Sequence, residues 1–264
     1  MATVTAMVKE MKRRRKPRSN FRFILIYNMS LFRREPKQFF FYEHDMHSHI
    51  LPGLDDGVKT IEESVAIVKS MLALGVKRFS FTPHISFPSP MNTPEIIRER
   101  LDLLKARLLK EDIHLDADAG AEYKVGEYML ELIEQDAIAS FRDRMVLIEH
   151  SFVSPAPSFE EVVFRLQERE YHPVLAHPER YPFYAGAILE RVKALKERGC
   201  RMQVNLLSFV GFYGKEAQKG ALVLADAGAI DYLSGDIHSY RQVEHLEKFV
   251  KSKYSAHLFK CMNL

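Results

Sequence analysis

Short apolar runs of strand length alternate along the chain with longer stretches in which apolar residues recur at helical spacing. The apolar run 39–45 predicts the first strand, and later runs predict six more, near 78–82, 113–119, 145–149, 172–176, 201–205 and 230–234. Helical patterns fit after them, near 60–75, 93–108, 125–134, 158–169, 187–198, 215–227 and 241–252. This alternation is typical of a parallel sheet or barrel built from βαβ units.

Capping residues support the predicted starts of three of these helices. Thr60-x-x-Glu63 and Ser158-x-x-Glu161 both match the capping-box pattern, in which the first side chain accepts from the backbone N–H three residues later. Thr93-Pro94-Glu95 combines an N-cap residue, a proline at the first helical position and an early acid. We therefore expect helices to begin at these positions.

The number of strand-helix units decides the fold class that we expect. About seven units are too few for a regular eight-fold barrel, which favours a distorted seven-fold version. A chain of 264 residues with 47% hydrophobic content is long enough to bury one large core. The prediction is an α/β fold, a distorted (β/α)7 barrel, in a single domain spanning residues 44–264. Residues 1–43 are predicted to form an N-terminal leader, disordered in its basic part.

The net charge of +3 comes from the leader. Residues 1–28 hold eight Lys and Arg against one Glu, whereas residues 29–264 hold 30 basic and 34 acidic side chains. The predicted domain is therefore mildly acidic, which argues against nucleic-acid binding. No apolar stretch approaches the ~20 residues of a membrane-spanning helix. Two cysteines cannot form a disulfide framework, which favours a reducing, cytoplasmic location.

Polar residues with metal-binding side chains stand at the ends of most predicted strands. In a β/α barrel the carboxyl ends of all strands open on one face, so that these sequence-distant residues should converge there. They are His47, His49, His84, Glu122, Glu149, His177, Asp236 and His238.

Four of these residues form two pairs, and in each pair one residue separates the two partners. His47-x-His49 and Asp236-x-His238 each place both side chains on the same side of a strand, where they can bind one metal ion. Histidine and carboxylate ligands without cysteine suit Zn, Mn or Fe. A lone His-x-His pair is more often a chance occurrence on the protein surface than a metal site. Glu122 or Glu149 could likewise form a salt bridge to Lys or Arg instead of binding a metal ion. His150, directly after Glu149, is more often a packed histidine than a ligand.

Six segments carry a resemblance to a known family. The chain resembles the polymerase-and-histidinol-phosphatase (PHP) superfamily, and within it the bacterial protein-tyrosine phosphatases encoded with capsule and exopolysaccharide genes. The resemblance extends from about residue 44 to 250 and implies the PHP fold. The segments are Asp45–Gly57 (DMHSHILPGLDDG), Thr82–His84 (TPH), Gly120–Tyr123 (GAEY), Leu147–Glu149 (LIE), Leu175–Tyr181 (LAHPERY) and Gly235–His238 (GDIH).

The resemblance implies a set of nine metal ligands that hold three divalent ions, Mn first, with Fe, Zn or Co as alternatives. Either Asp55 or Asp56 could be the ligand from its loop, and we choose Asp56 because it adjoins Gly57. The implied ligands are His47, His49, Asp56, His84, Glu122, Glu149, His177, Asp236 and His238.

The resemblance also implies how a substrate is held, and we add a hypothesis for how it is cleaved. Arg180 would contact the substrate phosphate, with Arg241 as a less certain second contact. Catalysis would then involve Arg180, Asp236 and His238, with Asp236 or a nearby histidine protonating the leaving phenolate. A hydroxide activated by the metal ions would attack the phosphorus.

The expected function is metal-dependent hydrolysis of phosphotyrosine. By resemblance the substrate would be the tyrosine-rich tail of a bacterial tyrosine kinase that controls exopolysaccharide or capsule synthesis. Cys200 precedes a strand pattern rather than a phosphate-binding loop, and Cys261 lies three residues from the last residue, which excludes a cysteine phosphatase. The alternatives are a histidinol-phosphate phosphatase and an inactive, metal-bound module that docks phosphotyrosine.

Overall fold

Strands and helices alternate through residues 42–261, the part of the chain that this computed structural model describes. The strands are β1 (His44–Asp45), β2 (Arg78–Phe81), β3 (His84–Ile85), β4 (Asp116–Ala119), β5 (Glu122–Lys124), β6 (Met145–Glu149), β7 (His172–Ala176), β8 (Arg201–Asn205) and β9 (Tyr232–Ser234). The helices are α1 (Ile61–Ala73), α2 (Pro94–Leu109), α3 (Glu127–Glu134), α4 (Phe159–Glu168), α5 (Ile188–Glu197), α6 (Lys215–Asp226), α7 (Tyr240–Val250) and α8 (Lys253–Cys261). None of these helices is long and apolar enough to cross a membrane.

The nine strands occupy seven positions of a parallel barrel. One sheet has the order β1-β2-β4 and the other β3-β5-β6-β7-β8-β9, with every pairing parallel. β2 and β3 are two parts of one strand interrupted at Thr82 and Pro83, and β4 and β5 are likewise interrupted at Gly120 and Ala121. The backbone N–H of Glu122 donates to the Pro83 carbonyl at 3.0 Å and so continues the pairing across the break.

The ends of β1 and β9 close the ring. The segments just beyond them pair at Ser48 and Ile237, where the N–H of His49 donates to the Ile237 carbonyl at 2.8 Å. The N–H of Asp236 donates in turn to the His47 carbonyl at 2.9 Å. These bonds hold four candidate ligands at the seam, and the predicted distorted (β/α)7 barrel is confirmed.

Alternation along the strands separates the barrel interior from the helical layer. In β6, Val146 and Ile148 pack into the main core, whereas Leu147 belongs to a second apolar cluster with Val174 and Ala176 of β7. Successive strand residues face opposite sides, so that Glu149 lies on the same side as Leu147. The interior of the barrel is therefore apolar along most of its length, and it becomes acidic at the carboxyl ends of the strands.

The predicted element boundaries between residues 60 and 252 hold to within a few residues, but β3 and β5 were not predicted as separate strands. Of the predicted first strand 39–45, residues 39–41 lie outside the described residues, and β1 begins at His44. The side chains of Thr60 and Thr93 accept from the N–H groups of Glu63 and Ile96, as predicted, but Ser158 makes no capping bond, since its backbone (φ −83°, ψ 7°) is not in the extended conformation of an N-cap. Helix α8 was not predicted. Short 3₁₀ turns follow β7 and β8 where loops were expected. Of the predicted leader, residues 1–41 lie outside the described residues.

Candidate active site

The carboxylate of Glu122 lies at the centre of the cluster at the carboxyl end of the barrel. Its Oε2 is 3.1 Å from His47 Nε2, 3.3 Å from His49 Nε2 and 3.2 Å from His84 Nδ1. Its Oε1 is 3.0 Å from His177 Nε2. Glu122 is fully buried, so that one carboxylate bridges four imidazole rings away from bulk water.

Asp236 provides a second buried carboxylate beside the first. Its Oδ1 is 3.3 Å from His47 Nε2 and 3.4 Å from His238 Nδ1, and it accepts no hydrogen bond from any described residue. Its Oδ2 accepts from Arg180 at 2.6 Å and from Asn205 Nδ2 at 2.8 Å. Asp236 has a left-handed φ of 50°, a conformation that non-glycine residues adopt mainly where the surrounding structure imposes it.

Three of the histidines are anchored through Nδ1, so that Nε2 faces the centre of the cluster. His47 Nδ1 donates to Gln203 Oε1 at 2.9 Å, and His49 Nδ1 donates to Asp55 Oδ2 at 2.7 Å. His238 Nδ1 donates to the backbone carbonyl of Asp236 at 3.0 Å. Metal-binding histidines usually make this second bond, which orients the ring and fixes its tautomer.

The two neighbouring aspartates of the loop after β1 have different surroundings. The side chain of Asp55 is fully buried, and its carboxylate accepts from His49, from the N–H of His84 and from the N–H of Gly57. The side chain of Asp56 is 73% exposed, and its Oδ1 lies 3.7 Å from His84 Nε2 and 3.6 Å from His238 Nε2. The geometry thus favours Asp56 as the ligand and Asp55 as the carboxylate that orients His49.

Gly57 is required where this loop passes the first histidine pair. A Cβ at this position would lie 2.2 Å from the His49 carbonyl oxygen, well inside any allowed contact. The close approach allows the N–H of Val58 to donate to the same carbonyl at 3.0 Å. Gly57 therefore holds the aspartate loop against the histidines.

The ionisation of the cluster shows how strongly its charges are coupled. Burial alone would lower the pKa of His47, but the carboxylates of Glu122 and Asp236 overcome burial and raise it to about 9. Burial, and then the neighbouring Glu122 carboxylate, raise the pKa of Glu149 well above its ordinary value. Crowded carboxylates of this kind are stabilised by a bound cation.

The residues of the cluster fit a group of metal ions. All nine predicted ligands fall into overlapping groups whose ligand atoms lie within 4.8 Å of one another. The donors are imidazole nitrogens and carboxylate oxygens, and Asp236 Oδ1 and His177 Nδ1 are buried without a hydrogen-bond partner among the described residues. The groups are His47, His49 and Asp236; His47, Glu122 and His177; His84, Glu122 and Glu149; and His49, Asp56, His84 and His238.

Gln203 and Asn205 support the cluster and were not among the predicted residues. Gln203 Nε2 donates to Asn205 Oδ1 at 2.8 Å, which joins the partner of His47 to the partner of Asp236. Both side chains are fully buried on β8. Two amides at alternate positions of a buried strand are the signal that could have identified them.

Arg180 lies at the edge of the opening between two aromatic rings. Its guanidinium carbon is 4.9 Å from the centre of the Phe152 ring and 4.1 Å from that of Tyr213, while Nη1 donates to Asp236. Burial would lower the pKa of Arg180, but the surrounding acidic groups, Asp236 first among them, together outweigh burial and raise the pKa. Arg180 is therefore a fixed cation beside the metal-binding cluster.

Phe152 is a large aromatic side chain on the rim of the opening. It follows β6 and is 42% exposed, and its ring lies parallel to that of His177 with centroids 5.7 Å apart. It lines an opening of about 340 Å³ together with Lys124, Arg180 and most of the predicted ligands. The opening is thus acidic at its base, with two cations, Lys124 and Arg180, and the aromatic ring of Phe152 along its lining.

Three other residues considered in the sequence lie outside the cluster. Arg241 is exposed on the first turn of α7, and no polar contact described for residues 42–261 joins its side chain to the cluster. His150 is packed as expected, with Nε2 3.1 Å from the Tyr184 hydroxyl. Cys200 is buried, and burial raises the pKa of its thiol to about 12, which agrees with the exclusion of a cysteine phosphatase.

Comparison with known proteins gives one family. The chain is 31% identical over 201 residues to the tyrosine-protein phosphatase YwqE of Bacillus subtilis, covering 75% of this chain and 78% of that one. It is 29% identical over 202 residues to the tyrosine-protein phosphatase CpsB of Streptococcus agalactiae, covering 74% and 82%.

A solved structure, described as YwqE from Bacillus subtilis and CpsB from Streptococcus pneumoniae, unique metal-dependent tyrosine phosphatases, superimposes with a TM-score of 0.70. It is 29% identical, covering 82% of this chain and 91% of the other. The model of the capsular polysaccharide synthesis family CpsB/CapC matches residues 43–260. The chain belongs to the CpsB/CapC family.

Proposed function

We propose that this protein is a metal-dependent protein-tyrosine phosphatase that hydrolyses phosphotyrosine. The observation that carries the proposal is the convergence of nine imidazole and carboxylate side chains beside a fixed arginine and an exposed aromatic ring. The named activities of YwqE and CpsB support it. Sequence, geometry and family thus favour the same chemistry.

Three divalent ions would be held by His47, His49, Asp56, His84, Glu122, Glu149, His177, Asp236 and His238. Mn is the first choice, with Fe, Zn or Co as alternatives, because imidazole and carboxylate ligands accept all four. When bound, such ions neutralise the phosphoryl charge and activate water near neutral pH.

The remaining chemistry belongs to side chains at the rim of the opening. The described hydrogen bonds of Arg180 engage only Nη1, so that its other nitrogens can donate to phosphoryl oxygens. His238 is partly exposed, and its Nε2 lies 3.6 Å from Asp56 Oδ1, so that His238 would act in catalysis as a ligand of the ions. Asp236 holds Arg180 and His238 in these positions. A phenolate with a pKa of ~10 needs little protonation to leave.

Phe152 favours an aromatic substrate. Its exposed ring stands beside Arg180 at the edge of the opening, where a phenyl ring whose phosphate reaches the cluster can pack against it. A phosphate ester with an alkyl group in place of the phenyl ring would gain less binding energy from contact with Phe152. We infer that the ring of phosphotyrosine is recognised here.

The protein substrate that we propose is the tyrosine-rich tail of a bacterial tyrosine kinase controlling capsule or exopolysaccharide synthesis. The capsular polysaccharide context of the CpsB/CapC family supports this choice. A cytoplasmic location accompanies it, in keeping with the free thiols of Cys200 and Cys261.

The test compares phosphotyrosyl peptide with histidinol phosphate as substrates, first with Mn²⁺ and then with a chelator. We expect metal-dependent turnover of the peptide, and a loss of at least about 100-fold in Glu122→Gln, because the bridging carboxylate is removed. Glu127→Gln, on the exposed face of α3, is the matched control and should retain activity. Preference for histidinol phosphate, or peptide binding without turnover, would contradict the proposal.

A further inference from the structure

A second group of metal-binding side chains lies outside the active site, where the last helix packs on α6. Asp226 is the last residue of α6, and His257 and Cys261 are four residues apart on α8. Residues at this spacing share one face of a helix, so that both α8 side chains can turn to Asp226. Their ligand atoms, a carboxylate oxygen, an imidazole nitrogen and a thiol sulfur, lie within 4.8 Å of one another. The group shares no residue with the nine active-site ligands.

The carboxylate and the thiol both meet the same ring nitrogen. His257 Nε2 lies 2.8 Å from Asp226 Oδ1 and 3.6 Å from Cys261 Sγ. A neutral imidazole nitrogen carries either one proton or one lone pair, so that a hydrogen bond to the carboxylate leaves the thiol at most a weak share of the same proton. A divalent cation between the three atoms would instead accept an electron pair from each.

The distances suit tetrahedral zinc. Zn²⁺ binds imidazole nitrogen at about 2.0–2.1 Å and thiolate sulfur at about 2.3 Å, which puts the two atoms about 3.5 Å apart at a tetrahedral angle. The separation of His257 Nε2 from Cys261 Sγ, 3.6 Å, agrees with this value. Nitrogen and carboxylate oxygen on zinc are about 3.3 Å apart, so that Asp226 Oδ1 has to withdraw by only about 0.5 Å. The Asp226 side chain is 64% exposed and free to do so.

The position of the group on its helices also favours a cation. Asp226 ends α6, and Cys261 is the last residue of α8. The carboxyl end of a helix carries partial negative charge, so that two such ends add to the charges of the carboxylate and the thiolate. The neighbouring Lys260 is exposed, and consecutive helix positions are turned by about 100° from each other, so that its ammonium group can remain in solvent.

Contacts beside the group hold α8 in place. Leu258 is fully buried against the main core, and Gln218 Nε2 of α6 donates to the Tyr254 hydroxyl of α8 at 3.4 Å. The backbone that carries His257 and Cys261 is therefore positioned before any ion binds. An ion would add a third tie between the two helices.

We propose that Asp226, His257 and Cys261 bind one Zn²⁺ ion, with water as the fourth ligand, and that the ion fastens α8 to α6. Binding releases the thiol proton to solvent and leaves the imidazole proton on Nδ1. The thiolate favours Zn²⁺ over Mn²⁺, whereas the active site offers only imidazole and carboxylate groups. This inference is independent of the proposed phosphatase activity.

Cobalt detects the site in the full-length protein. A bond between Co²⁺ and thiolate gives an intense near-ultraviolet charge-transfer band, which imidazole and carboxylate ligands do not give. The band therefore reports this site even when the active site also takes up Co²⁺. We expect the band in wild type and its loss in Cys261→Ser. Asp226→Asn and His257→Gln should need at least about tenfold more Co²⁺, because a ligand is removed.

The reactivity of the thiol measures Zn²⁺ binding directly. Cys200 is buried, so that Cys261 should react first with an aromatic disulfide reagent. Zn²⁺ should slow this reaction at least about tenfold in wild type, and Mn²⁺ less than twofold. The protection should be lost in His257→Gln. The controls are Cys200→Ala and His114→Gln, an exposed histidine between α2 and β4, and both should retain the band and the protection.

The outcomes separate the site from its structural role. A wild-type protein without the thiolate band, or a band that persists unchanged in Asp226→Asn and His257→Gln, overturns the site and leaves an ion pair between Asp226 and His257. Loss of the band in Cys200→Ala also overturns it. Zn²⁺ should slow amide hydrogen exchange in α8 at least about fivefold in wild type but not in Cys261→Ser. Equal exchange with and without Zn²⁺ in wild type overturns the fastening of α8.

Discussion

At the scale of single residues, adjacent positions in this site have distinct tasks. Asp55 and Asp56 follow each other in the chain, yet one carboxylate is turned inward to a histidine Nδ1 and the other outward between two Nε2 atoms. Their roles follow from the path of the loop around Gly57. The two substitutions should therefore have different effects on metal binding.

Asp56→Ala should lower the metal content per chain even at saturating Mn²⁺, because a ligand is removed. Asp55→Asn should bind the full complement but need about 10–100-fold more Mn²⁺, because His49 loses its orienting acceptor. Metal analysis after equilibration at several Mn²⁺ concentrations measures both. The reverse pattern would make Asp55 the ligand.

Phe152 offers a second test at this scale. Phe152→Ala should raise KM for p-nitrophenyl phosphate about 5- to 10-fold, because stacking with an aromatic ring contributes roughly 1 kcal/mol. Turnover of glycerol phosphate, which has no ring, should change less than twofold. Steady-state kinetics on both substrates measures the difference, and an equal loss on both would show that Phe152 only supports His177.

At the scale of elements, similar sequence patterns at two helix starts lead to different local structures. Thr60 and Ser158 both begin a Ser/Thr-x-x-Glu pattern, but Thr60 has an extended backbone and accepts from the N–H of Glu63, whereas Ser158 starts α4 without a side-chain cap. The sequence around Ser158 matches the capping-box pattern, but the corresponding hydrogen bond is not formed. Cap patterns thus locate a helix start more reliably than they specify a hydrogen bond.

Thr93→Ala should lower the free energy of unfolding by about 1 kcal/mol, because one N–H at the start of α2 loses its acceptor. For a domain of this size that corresponds to a fall in Tm of about 2–4 °C. Ser158→Ala is the matched control and should stay within about 0.5 kcal/mol of wild type. Thermal unfolding of both variants measures the difference, and equal losses would contradict the assigned caps.

At the scale of the whole molecule, the seam of the barrel and the candidate metal centre coincide. The segments that close the ring, 47–49 and 236–238, carry four of the predicted ligands. Buried carboxylates from opposite sides of the barrel meet there. Metal binding should consequently stabilise the entire fold, not only the site.

Chelation should lower Tm by about 5 °C or more, and added Mn²⁺ should restore it, because an ion at 100 times its Kd contributes about 2.7 kcal/mol to the native state. Differential scanning fluorimetry with and without chelator gives the shift. Glu122→Gln should show a much smaller shift. An unchanged Tm in wild-type protein that has demonstrably lost its metal would refute this coupling.

The sequence by itself determined the alternation of strands and helices, the seven-fold barrel and the set of candidate ligands. This was possible because apolar periodicity reports burial locally, and because the carboxyl ends of parallel strands must share one face. The histidine and carboxylate residues at the carboxyl ends of the strands then indicated a metal site and the resemblance to a known family.

Only the tertiary structure decided which groups meet across the chain. It separated Asp55 from Asp56, linked Gln203 to His47 across 156 residues, stacked Arg180 between Phe152 and Tyr213, and left Arg241 outside the cluster. Such contacts depend on loop paths and on the closure of the barrel, which no local periodicity encodes. The nature of the site could therefore be predicted from its residues, whereas its arrangement follows from the folded barrel.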